Sequence, residues 1–120
     1  MQSVLRKLPS DSLRAYVVWI PALFSDHRES ALEATGEYVD QRVQYFWDEH
    51  RAVGETYQRS MGMDRFAWDV YFVYERGVVW HEKEAPPAPY AWMHQLWGLE
   101  EMAPRLDSLA LVERVQEILP

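Results

Sequence analysis

Apolar and polar positions along the chain fall into blocks, and each block predicts an element. Residues 3–8 carry enough apolar positions for a helical turn or two before Pro9 and Ser10-Asp11-Ser12 interrupt them. Ala15-Tyr16-Val17-Val18-Trp19-Ile20 is a continuous β-branched and aromatic run. Without polar alternation it predicts a strand covered on both faces, ended by Pro21. Asp26, with Glu29 three residues later, has the spacing of a capping box, and Ala31, Ala34 and Tyr38 then recur at helical intervals. Val43-Gln44-Tyr45-Phe46-Trp47 predicts a second strand. Asp48 closes it and can cap a helix that carries Ala52, Val53, Thr56, Tyr57 and Met61 on one face, with Gly62 as its stop. Residues 68–74 read as a third strand. Glu75-Arg76-Gly77 suits a three-residue hairpin loop, which returns the chain along Val78-Val79-Trp80-His81-Glu82 as a fourth. After the proline-rich break at residues 84–89, Tyr90, Met93 and Trp97 would share one helical side, with Trp92 and Leu96 adjacent. A closing helix starts near Asp107-Ser108 and buries Leu111, Val112, Val115, Ile118 and Leu119.

The first two strands are joined by a helix and should be parallel with a right-handed crossover, while the last two form a hairpin. The expected architecture is α/β: one mixed four-stranded sheet, a parallel pair plus a C-terminal antiparallel hairpin, flanked by helices. The expected organisation is a single domain over residues 1–120 with an aromatic and proline-rich insertion at 84–104.

That order resembles the thioredoxin-like fold. Ala15-Tyr16-Val17-Val18-Trp19 looks like the central strand leading to the family's active-site helix. Trp68-Asp69-Val70-Tyr71-Phe72-Val73-Tyr74 with Val78-Val79-Trp80 looks like its hairpin. Two departures matter. Where the family carries Cys-x-x-Cys, this chain reads Ile20-Pro21-Ala22-Leu23-Phe24-Ser25-Asp26-His27. Where the family places a cis-proline, it reads Arg65-Phe66-Ala67-Trp68. The resemblance therefore implies a fold and carries over no catalytic residue.

Composition narrows the function classes. The 120 residues contain no cysteine, which excludes dithiol redox chemistry and thiolate metal sites. A net charge of −7, with arginines scattered along the chain, argues against nucleic-acid binding, because phosphate backbones demand a basic face. The apolar runs are too short to span a bilayer, and the start lacks the long apolar run of a signal peptide, so a cytoplasmic protein is expected.

Two regions are candidates for function. In open α/β sheets, ligands favour the crevice beyond the carboxyl ends of parallel strands. There the loops would gather Asp26, His27, Asp48 and His50, with Trp68 nearby. These side-chain types suit a divalent metal, yet Asp26 and Asp48 are equally placed as helix caps and no recognised ligand spacing occurs. Two helix N-termini at the same edge would favour an anion. Ser25, Asp26 and His27 adjoin in sequence, but adjacency does not make a triad and no nucleophile elbow is present. Asp69 opens an apolar strand, where a buried carboxylate would need a partner. The second region is the aromatic segment, in which Tyr90, Trp92, Met93 and Trp97 form either a lid over the sheet or an interface. The leading expectation is a non-catalytic interaction or assembly module binding a protein partner or a second copy, with no cofactor. The alternative is a small metal-dependent or small-molecule-binding enzyme using the crevice.

Overall fold

The structure, a computed structural model, describes residues 1–21, 27–36 and 39–120. Its elements in chain order are α1 (Gln2–Arg6), β1 (Ala15–Trp19), α2 (Arg28–Gly36), β2 (Val43–Trp47), α3 (Ala52–Met61), β3 (Val70–Val73), β4 (Ala91–His94) and α4 (Ser108–Ile118). They divide between two compact units, one made of Asp11–Trp68 and the other of Met1–Ser10 together with Asp69–Pro120.

In the Asp11–Trp68 unit, β1 and β2 pair in parallel as expected, Ala15 opposite Val43 and Trp19 opposite Trp47. The register is anchored at its start by Asp40, whose carboxylate accepts from the Arg42 backbone N–H at 2.9 Å and from its guanidinium at 2.7 Å. The Arg42 carbonyl in turn accepts from Ala15 N. Burial is uneven between the two faces of the strands, with Val18 half-buried on the more open face. Ala15, Val17 and Trp19 are half-buried with Val43, Tyr45 and Trp47, whereas Tyr16 and Phe46 are exposed with their rings 6.4 Å apart. The connecting helix α2 packs on β2 and reaches β1 through the Trp19 indole N–H, which donates to Thr35 Oγ1 at 3.2 Å. One crossover helix covers one face of a two-stranded ribbon, so an unbroken apolar run here does not mean double coverage. Helix α3 ends at Gly62 in the left-handed region (φ +69°), as its position in the sequence predicts. Gly54, buried within α3, lies so close to the Ala67 carbonyl that a Cβ there would sit 2.8 Å from it.

The second unit corrects the expected topology. There is no four-stranded sheet among the described residues: β3 and β4 form a separate antiparallel pair, Val70 opposite His94 and Val73 opposite Ala91. The strand expected at residues 78–82 is not one. Gly77 does turn the chain with φ +84°, but Val78, Val79 and Trp80 stay exposed. The partner of β3 comes instead from the aromatic segment expected to be helical. Burial follows that pairing: β4 places Met93 and His94 in the core, joined there by Leu96 and Ala103 through the His94 ring. The intervening residues 74–90 fold as a loop tied by Tyr74 Oη donating to the Pro87 carbonyl and Tyr90 N donating to the Val73 carbonyl. Helix α4 is capped by Asp107, whose carboxylate accepts from Ala110 N at 2.9 Å, and buries Leu111, Val112 and Val115. It packs against α1, whose Val4 and Leu5 are buried with Leu8 in the same unit. Among the described residues, no helix is long and apolar enough to cross a membrane.

Candidate functional site

The crevice residues act mainly as local structural anchors. Asp26 and Ser25 lie outside the described residues, and with them the expected capping box. His27 precedes α2, where its Nδ1 accepts from Ser30 N at 3.3 Å and lies 3.5 Å from the Glu29 carboxylate. Asp48 directs both carboxylate oxygens at the first amides of α3, accepting from Ala52 N at 2.9 Å and Val53 N at 2.8 Å. Arg51, immediately before that helix, is left-handed (φ +59°). Its Nε donates to the Pro21 carbonyl at 2.8 Å, and its guanidinium lies over the Phe66 ring at 4.8 Å. His50 points to solvent with 90% of its side chain exposed. Trp68 is half-buried, its ring 6.5 Å from that of Phe66. No three His, Asp or Glu side chains gather in a metal-holding cluster among the described residues, so His27, Asp48 and His50 do not form a three-ligand set. Asp69 is exposed rather than buried. It takes a left-handed backbone (φ +54°), and its carbonyl accepts from Gln95 N.

The strand geometry of β4 divides the aromatic segment differently from a helix, because alternate side chains point to opposite faces. Met93 is 4% exposed and belongs to the core. Trp92 is half-buried, its ring 5.8 Å from Phe72 and 5.9 Å from His94. Tyr90 is exposed and tethered: its hydroxyl donates to Glu117 at 2.6 Å. That bond to a carboxylate pushes its pKa up from the ordinary 10.0.

Trp97 stands apart, 81% exposed although it adjoins the buried Leu96. The Arg105 guanidinium lies 5.4 Å from its ring centroid. Arg105 is itself held in place, donating to the Leu96 carbonyl at 3.2 Å and to Glu100 at 3.3 Å. Glu100 is stabilised as an anion, its pKa lowered chiefly by a hydrogen bond from its own backbone amide and further by Arg105. The cation is thus held by two hydrogen bonds beside a ring that remains open to solvent.

Sequence reasoning missed two features of this unit. His94 is fully buried, with Nδ1 accepting from Leu96 N at 3.0 Å and Nε2 placed to donate to the Ala103 carbonyl at 3.0 Å. The Arg105–Trp97 pair was equally invisible, since seven residues without regular periodicity separate its members. Comparison with protein-family models, curated proteins and solved structures found no match to this chain.

Proposed function

We propose that the protein is a non-catalytic interaction module that self-associates through the surface around Trp97. The observation that carries this reading is a tryptophan left 81% exposed yet backed by an anchored arginine. Tryptophan and arginine are among the residues most enriched where binding energy concentrates, and an arginine already held by hydrogen bonds loses less freedom on contact. A second copy suits the surface because a two-fold interface sets the same patch against itself. This patch carries both signs, Arg105 and Glu100, so each cation can meet the other copy's carboxylate. The reading keeps the chain as a cysteine-free member of the thioredoxin-like scaffolds, supported by the β1-α2-β2 parallel unit and the later antiparallel pair followed by α4.

The test is solution mass by light scattering across a concentration series, for the native chain and Trp97→Ala. We expect a dimer that the substitution converts to a monomer with an unchanged circular dichroism spectrum. A native chain that is monomeric at every concentration refutes the reading, as does a dimer indifferent to Trp97. Trp92→Ala is the contrasting variant: it loses packing against Phe72 and should lower stability instead of association.

A further inference from the structure

The His94 ring is fully buried at the end of β4, and its two nitrogens hold two points of the loop that follows. Nδ1 accepts from Leu96 N at 3.0 Å, and Nε2 meets the Ala103 carbonyl at 3.0 Å. An amide N–H only donates and a carbonyl only accepts. This pair of bonds therefore admits one form of the ring, neutral with its proton on Nε2. A second proton has no place but Nδ1, where it would be set against the Leu96 N–H. The bond from Nε2 to Ala103 survives that change. Protonation thus breaks one point of attachment and leaves the other.

The point that breaks adjoins Trp97. The Leu96 carbonyl accepts from Arg105 at 3.2 Å, and the Arg105 guanidinium lies beside the Trp97 ring. Two elements pack around His94: β3, where Val70 is its register partner, and the 95–106 loop. Their ionisable groups are Asp69 and Tyr71 on one side and Glu100, Glu101 and Arg105 on the other. The carboxylates among them are exposed, and among the described residues none pairs with the imidazole to hold an added proton. We propose that His94 is an acid-sensitive clasp on the Trp97 surface. The neutral ring holds Leu96 and, through it, Arg105 ready for association; protonation frees that end of the loop. Control of association rests on the self-association reading above, whereas the clasp stands on the two hydrogen bonds alone. Histidine ordinarily changes charge between about pH 5 and 8, so release belongs to that range. The held form carries no added proton and the released form carries one. Below histidine's ordinary value of about 6.5, each unit of pH therefore multiplies the released population about tenfold.

Amide hydrogen exchange followed by NMR from about pH 7.5 to about 5 reads the clasp in the native chain. Protection of the Leu96 amide, corrected for its intrinsic rate, should fall about tenfold per unit below about pH 6.5. Protection of the Leu111 amide, bonded to the Asp107 carbonyl in α4, should hold. His94→Asn offers Oδ1 to Leu96 N and takes up no proton, so its Leu96 protection should not change with pH. Light scattering on the same samples should show the native dimer weakening towards acid and the His94→Asn dimer not. Acid also shrinks the net charge of −7, which by itself favours association, so a general charge effect runs the opposite way. Leu96 protection that stays constant in the native chain, falls together with Leu111, or falls equally in His94→Asn overturns the clasp. A dimer indifferent to pH while Leu96 protection falls overturns its control of the surface. Falling protection in a chain that is monomeric throughout upholds the clasp and refutes the self-association reading instead.

Discussion

Replacing His94 with leucine tests whether the β3–β4 unit depends on a polar bond inside an apolar core. The ring is fully buried and uses both nitrogens, one accepting from Leu96 N and one donating to the Ala103 carbonyl. Leu96 and Ala103 are themselves buried, so water cannot replace either bond without opening the core. A leucine of similar bulk leaves an amide and a carbonyl unsatisfied, at about 1–3 kcal/mol each, and ends the ring contact with Trp92. The added apolar burial offsets part of this, and the net loss should be about 2–5 kcal/mol, a large fraction of the stability of a typical domain. His94→Asn grades the effect: its Oδ1 can take the place of Nδ1 towards Leu96 N, while its amide stops short of the Ala103 carbonyl. Urea unfolding followed by far-ultraviolet circular dichroism should rank native above His94→Asn above His94→Leu. A leucine variant within about 1 kcal/mol of native would refute the reasoning, since that is less than one unsatisfied buried group costs.

Gly54→Ala places a methyl 2.8 Å from the Ala67 carbonyl and 3.3 Å from Ile20 Cδ1, and the obstructing oxygen is backbone. Overpacking should exceed the helix-propensity gain of ~1 kcal/mol, leaving a net loss of about 1–2 kcal/mol in urea unfolding; an unchanged midpoint would contradict this. Tyr71 has its pKa raised from 10.0, first by burial and then by the charge of Asp69. The unfolded chain therefore releases this proton before the folded one, and stability should fall as pH rises beyond 10.0. Tyr71→Phe should reduce that decline and remove one late-ionising phenol from the absorbance titration; a native titration without a late component would count against it.

Much of the fold was legible because its signals are local. Asp48 and Asp107 cap helices as their positions suggest, and Gly62 stops α3. A helix between two apolar runs foretold the parallel pairing of β1 and β2. The pairing of β3 was not legible, because a turn at Gly77 and a following Val78-Val79-Trp80 run meet every local requirement of a hairpin. What decides the partner is the core that Met93 and His94 join, which depends on contacts with Leu96, Ala103 and the start of the 104–106 segment. Chain propensity carries no record of those contacts. The candidate residues divided along the same line: the Asp48 carboxylate serves the first amides of α3, as its place ahead of that helix suggests, while the Arg105–Trp97 pair depends on how the chain after β4 folds back.

The unit that holds β3, β4 and α4 is discontinuous, since α1 belongs to it while Asp11–Trp68 does not. During synthesis this separates events in time. Val4, Leu5 and Leu8 leave the ribosome before their partners on α4, which follow about a hundred residues later. At translation rates of about 5–20 residues per second, that interval lasts roughly 5–20 s. The Asp11–Trp68 segment, whose contacts are continuous in sequence, can fold within it. The opening helix has no such option, because α4, against which it packs, is made about a hundred residues later.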